Sequence, residues 1–422
     1  MRLNYRRTFF IGLAFMSISA FWQLYDSIIP LILKNTFGVA HTPAGVIMAL
    51  DNVLALFMLP LFGALSDRVD TPIGRRMPFI LGGTAAAVVS MLIIPVADNA
   101  ARFPLFMVAL LVALVAMSTY RSPAVALMPD VTPKPLRSQA NGIINLMGAL
   151  GVIYSLGLIS ALVPAEGKPN YLPIFAFVAA FMVLAVVILF FTVKEKKLAA
   201  AMRAYEEKVG EQGASRAAEM DPAVKRSFYF ILASIFLWFF AYNAVTTAFS
   251  KYAQDYLGIA GGGFANSLML ATGAAVVAFI PAGLIAAKIG RKRTIMAGIT
   301  ILGLCFFIAA FFKSFNPLLN ILLVLIGFGW AAINVNSYPM VVEMAKGADI
   351  GKYTGYYYTA SMSAQILTPI LSGVFLDELG YWTLFPYATL FSILAFITMS
   401  QVRHGDSKAV ATGSKLEMLD VD

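Results

Sequence analysis

The sequence predicts an all-α integral membrane fold, with twelve transmembrane helices in two pseudo-symmetric six-helix bundles. Three observations carry this. The 422 residues are 60% hydrophobic and only 13% charged, with mean hydropathy +0.80, whereas a soluble domain carries about 25% charged residues. Apolar runs of the ~20 residues needed to cross ~30 Å of hydrocarbon recur along the chain. The basic residues collect in alternate gaps between those runs.

The first run spans about 8–33. Its start, MRLNYRRTFFIGLAFMSISAFWQ, has the basic-then-apolar order of a signal peptide. The apolar part outlasts a signal core of about 7–15 residues, so it reads as a membrane helix rather than a cleaved leader. The next five runs cover about 44–65, 77–98, 103–127, 138–163 and 171–193. Six more cover about 226–250, 263–288, 294–313, 316–340, 353–376 and 381–401. With a cytoplasmic N-terminus, 25 of the 31 lysines and arginines fall on inner segments. Five fall on outer loops or their flanks (Lys34, Arg102, Lys168, Lys251, Lys313), and Arg121 lies within a helix. That asymmetry puts both termini on the cytoplasmic side of a plasma membrane protein.

The predicted organisation is an N-terminal bundle (1–193), a cytoplasmic linker (194–225), a C-terminal bundle (226–402) and a disordered cytoplasmic tail (403–422). The linker's mixed charges and alanines read as a tether, a surface helix or flexible chain. The net charge of +9 is spent on topology, so no nucleic-acid partner is expected. One cysteine, Cys305, and two distant histidines, His41 and His404, give no basis for a disulfide, a metal site or a catalytic constellation. No nucleophile–base set or phosphate loop argues for an enzyme, and no cofactor is expected.

An internal repeat supports the two halves. GALSDRVDTPIGRR follows helix 2, and GLIAAKIGRKR follows helix 8. An acid sits just after helix 4 (Asp130) and just after helix 10 (Glu343).

Twelve helices with G-x-L-S-D-R and G-R-R between helices 2 and 3 resemble the major facilitator superfamily. Five residues separate the two motif halves, SDR-VDTPI-GRR-MPFI. That longer gap is similar to the plant sucrose transporters and their bacterial and animal relatives, and to the glycoside–pentoside–hexuronide cation symporters. The segment PAVALMPDV…SQANGIINLMGALG resembles the same group. The resemblance implies a monomeric secondary transporter working by alternating access. It also implies a cytoplasmic gate at Asp67, Arg68, Arg75, Arg76 and Asp130. Physically, Asp67 is suited to a helix N-terminus, and the arginines are suited to pair with Asp67, Asp70 or Asp130.

Ionisable residues inside the spans are the sharpest functional clue. Asp26, Asp51 and Arg121 are read as the deep ones. At ~1.5 Å per residue they lie about 27, about 21 and about 14 Å from the cytoplasmic ends of their helices. Two acids and one base leave one carboxyl unpaired, the chemistry of a residue that takes up and releases a proton. These three are the expected proton-coupling residues, with H+ as the coupling ion. The resembling sodium-coupled branch carries helix 2 aspartates where this chain has Leu59 and Ala55. The helix 4 arginine and aspartate of the plant sucrose transporters fall on Val125 and Leu114. The chain therefore departs from the sucrose-transporter pattern in helix 4, and Arg121, one turn from Val125, is the residue that would stand in for the missing arginine.

A sugar needs hydroxyl partners and an aromatic face. Polar stripes at helical spacing offer Trp22, Gln23, Asp26, Arg121, Asn141, Asn145, Asn243, Thr247, Trp330, Asn334, Tyr358 and Gln365 as substrate contacts. The expected function is proton-coupled symport of a disaccharide or glycoside. The alternative is a facilitator or exporter of another polar solute. An interhelical hydrogen bond is the competing role for each single Ser or Thr.

Overall fold

A computed structural model describes residues 4–132, 137–201, 221–344 and 350–405, with the side chains at 137–139, 141, 342–343, 350–352 and 354 excepted. Among the described residues, twelve helices are long and apolar enough to cross a membrane. The first six are α1 (Tyr5–Asn35), α2 (His41–Arg68), α3 (Met77–Asn99), α4 (Phe103–Val131), α5 (Arg137–Leu162) and α6 (Leu172–Thr192). The second six are α7 (Pro222–Asp255), α8 (Phe264–Ile289), α9 (Arg291–Ala309), α10 (Leu318–Glu343), α11 (Ile350–Glu378) and α12 (Leu384–Ser400).

Several helices run further than hydropathy suggests. α4 reaches Val131, so Asp130 lies in its last turn rather than beyond it. α7 begins at Pro222, inside the predicted linker, where the Asp221 side chain accepts from the Ala223 N–H as an N-cap. The remaining linker residues 202–220 and tail residues 406–422 lie outside the described residues. The tail's first residues pack: the Arg403 N–H donates to Ser227 Oγ at 3.1 Å, and His404 Nδ1 lies 2.8 Å from that oxygen.

By packing, the chain divides into two units. Unit 1 comprises Met1–Gly38, Leu50–Glu211 and Ala260–Asn266; unit 2 comprises Val39–Ala49, Gln212–Ile259 and Ser267–Asp422. This departs from a clean cut at the linker, because the first turns of α2 group with unit 2.

Within unit 1, α1 packs on α5 and α6, and α3 packs on α4 and α6. Within unit 2, α7 packs on α11 and α12, and α9 packs on α10 and α12. The four pairings repeat with every helix advanced by six, so the sequence repeat is a repeat of packing. Lipid offers no hydrophobic drive for helix association, so close backbone approach matters. At Gly83, on α3, a Cβ would stand 2.7 Å from the Tyr120 backbone N of α4. Both repeats of the basic turn pivot on a glycine with positive φ, Gly74 at +120° and Gly290 at +96°, a conformation that L side chains rarely adopt.

Candidate functional site

In unit 1, one face of α1 carries candidate residues. Trp22 and Asp26 lie one turn apart there. The Arg121 guanidinium of α4 sits over the Trp22 ring, 5.8 Å from its centroid, a cation–π geometry. Asp51 of α2 is close enough to interact electrostatically with both Arg121 and Asp26. Asn52 Nδ2 donates to Asp51 Oδ1 at 2.7 Å. Three helices thus bring together the intramembrane charges chosen from sequence. Tyr25, which sequence reasoning missed, lies within electrostatic range of both carboxylates. Its signal was position, adjacent to Asp26.

Other predicted contacts in unit 1 are more ordinary. Gln23 Nε2 donates to Ser27 Oγ at 2.8 Å along α1. Asn145 is half-buried on α5. The Asn141 side chain lies outside the described residues. Nε1 of Trp22 is buried and has no hydrogen-bond partner among the described residues. A buried donor of that kind is a costly group unless something else accepts from it.

Unit 2 holds a cluster of its own. Trp330 of α10 stacks on Tyr242 of α7, with ring centroids 3.8 Å apart and planes within 4°. Phe239 meets Trp330 edge-on at 5.2 Å. Asn243 follows Tyr242, and its Nδ2 is buried without a partner among the described residues. Thr247 donates its hydroxyl to the Asn243 carbonyl at 2.6 Å. Asn334 is buried one turn from Trp330. Tyr358 is 36% exposed, and Gln365 Nε2 donates to the Ser361 carbonyl at 3.4 Å. Sequence reasoning missed Tyr242, because an aromatic beside an amide reads as packing until its partner is known.

Two further ionisable groups are buried near helix ends. Asp98 is fully buried in the last turn of α3 and accepts from Thr36. Lys251, assigned to an outer loop from sequence, is buried in the last turns of α7, with Nζ 3.3 Å from His41 Nδ1. The first turn of α2 is capped within unit 2 by Asp377, which accepts from the His41 and Thr42 N–H groups at 2.8 and 2.6 Å.

The basic turn after α2 forms a charge cluster. Arg75 Nη2 lies 2.7 Å from Asp130 Oδ1, and Arg76 Nε lies 2.9 Å from Asp130 Oδ2. Arg76 also pairs with Asp67 and donates to the Gly63 carbonyl at 3.1 Å. Arg68 is exposed and makes no ion pair among the described residues. The acid at a helix N-terminus is not Asp67 but Glu195, which follows α6. Its carboxylate accepts from the Arg75 and Arg76 N–H groups at 2.8 Å each and from Met77 at 2.9 Å. Unit 2 anchors its equivalent turn with a cation: Lys292 Nζ donates to the Ser400 and Val402 carbonyls at 2.8 and 2.6 Å.

A model of the Major Facilitator Superfamily matches residues 11–280 and 262–415. The chain belongs to the major facilitator superfamily. Solved transporters of this fold superpose on nearly its whole length. The nucleoside transporter NupG gives TM-score 0.67 at 14% identity, covering 94% of this chain and 100% of that one. The POT family transporter PepTSo gives 0.70 at 12% identity, covering 95% and 98%. The human organic anion transporter MFSD10 gives 0.62 at 16% identity, covering 94% and 100%. At these identities the likeness is one of fold. Among curated proteins, Sucrose transport protein SUC4 of Arabidopsis thaliana is 32% identical over 145 residues. That match covers 31% of this chain and 28% of SUC4, so the chain matches less than a third of that relative's length. The protein is a multi-pass membrane transporter of the superfamily.

Proposed function

We propose that this transporter carries a sugar, a disaccharide or glycoside, together with a proton across the plasma membrane. Both termini face the cytoplasm, and a single chain alternates access to the two sides. The observation that carries the reading is the Asp26–Asp51–Arg121 group. Asp26 and Asp51 lie within electrostatic range of each other across α1 and α2, and the Arg121 guanidinium of α4 lies within range of Asp51. Fully ionised, the group has one surplus negative charge in a poorly hydrated interior. One proton neutralises it. The proton-loaded group is then the form suited to a closed, dry state, and proton binding and substrate binding are linked through that state.

The sugar reading has a separate line of support within each unit. In unit 1, Trp22 presents a buried donor suited to a hydroxyl, and in unit 2 Asn243 does. The Tyr242–Trp330 stack offers the aromatic surface that the apolar face of a pyranose seeks. The partial likeness to a sucrose transport protein agrees with this. On the proposed topology, the Arg75–Arg76–Asp67–Asp130 cluster is cytoplasmic and serves as the inner gate. Its ion pairs are made in one state and broken in the other.

Reconstituted protein in sealed liposomes with an internal pH dye, challenged with a panel of mono- and disaccharides, tests the reading. A sugar that acidifies the lumen supports symport. Labelled sugar that equilibrates without proton movement favours the facilitator, and movement of neither favours a different solute.

A further inference from the structure

The first turn of α1 and the exit of α6 enclose an open pocket of about 490 Å³ in unit 1. Four cations line it: Arg6, Arg7, Lys194 and Lys197. Among the described residues no acid lines it, and none of the four forms an ion pair. Arg7 Nε is buried without a hydrogen-bond partner among the described residues. The nearest acid in sequence, Glu195, has turned its carboxylate to the N–H groups of Arg75, Arg76 and Met77. Positive charge is thus concentrated in a concave site with unused donors.

Aromatic rings hold the cations at this level. Arg6 lies over Phe10 at 5.8 Å and Lys194 over Phe190 at 5.9 Å. The surroundings are apolar and exposed: Phe9 is next to pocket-lining Phe10, and Phe191, 67% exposed, is next to pocket-lining Thr192. On α6 the exposed face continues through Val187 and Leu184. In a membrane-spanning helix, exposed residues of this kind meet acyl chains.

We propose that this pocket binds the phosphate headgroup of an anionic phospholipid in the leaflet at the chain's basic end. Arg6, Arg7, Lys194 and Lys197 hold the phosphate oxygens, and the α1–α6 surface holds the acyl chains. Guanidinium groups suit this anion because they donate in a planar fork, and basic pockets between membrane helices are the usual form of such sites. A free phosphate would use the same donors but gain nothing from the apolar flank.

The test is native mass spectrometry of the full-length protein titrated with phosphatidylglycerol, phosphatidylcholine or inorganic phosphate. It compares wild type, Lys194→Gln/Lys197→Gln, and Lys288→Gln/Arg293→Gln, a control pair of exposed cations outside the pocket. Lys194 and Lys197 are exposed, so their removal spares the packed interior. Thermal unfolding in phosphatidylcholine alone checks that each variant is folded. The expected result is one saturable phosphatidylglycerol per chain, retained by the control pair and weakened about thirtyfold by Lys194→Gln/Lys197→Gln. Equal competition by inorganic phosphate would overturn the lipid assignment. Unsaturable binding, or equal loss in both double variants, would overturn the site and leave the cations as topology signals.

Discussion

Gly74 leaves open the space that Glu195 fills: a Cβ on Gly74 would stand 2.2 Å from Glu195 Oε2. The two residues lie on opposite sides of four membrane helices in sequence, yet together they fix the turn into α3. Gly74→Ala is expected to destabilise through its +120° φ and through this clash. Glu195→Ala strips three N–H groups of their acceptor, at about 1–3 kcal/mol for each donor left buried. Thermal unfolding of purified variants checks both, and Glu195→Gln is expected to retain part of the lost stability.

Two arginines of the turn, Arg76 and Arg68, are expected to separate by function. Arg76 has 5% side-chain exposure and touches Asp67, Asp130 and the Gly63 carbonyl. Arg76→Ala leaves Asp130 with one partner fewer and is expected to lower the transport rate at least tenfold. Arg68→Ala, at an exposed site, is expected to stay within about 0.5 kcal/mol of wild type in stability. Substrate uptake and unfolding measured on both variants check the ranking.

Trp22→Phe keeps an aromatic ring under Arg121 and removes the buried indole N–H. If that group donates to substrate, KM rises about tenfold, the value of one hydrogen bond. Trp330→Ala removes the partner of the Tyr242 stack and is expected to raise KM further, with Trp330→Phe between. Sugar uptake over a range of concentrations separates KM from kcat.

Asp377→Ala removes the acceptor for the first N–H groups of α2. The loss is that of a helix N-cap, about 0.5–2 kcal/mol. Thermal unfolding reads it directly, and Asp377→Asn is expected to cost less because its oxygen still accepts.

Much of this fold was legible because a membrane imposes length and polarity on every span. The twelve runs and the basic turn follow from apolar length and the placement of arginine. Asp26, Asp51 and Arg121 stood out because charge is rare in such segments, and the structure brings them together. Glu195 was hidden because it lies within a charged stretch, KEKK, that reads as solvated chain; its partners lie about 120 positions earlier. Lys251 was read as an outer-loop charge because polar neighbours ended the apolar run, while α7 continues to Asp255. The grouping of 39–49 with unit 2 depends on packing between distant segments, which no local pattern encodes.

Proton coupling is tested most directly by sugar-driven acidification of the liposome lumen, measured for wild type, Asp26→Asn and Asp51→Asn. The prediction is that wild type acidifies the lumen when the right sugar is added outside. At least one Asn variant should abolish that signal while still exchanging labelled sugar across the membrane. Wild-type sugar uptake with no proton movement, or undiminished acidification in both variants, would contradict the assignment of these carboxylates.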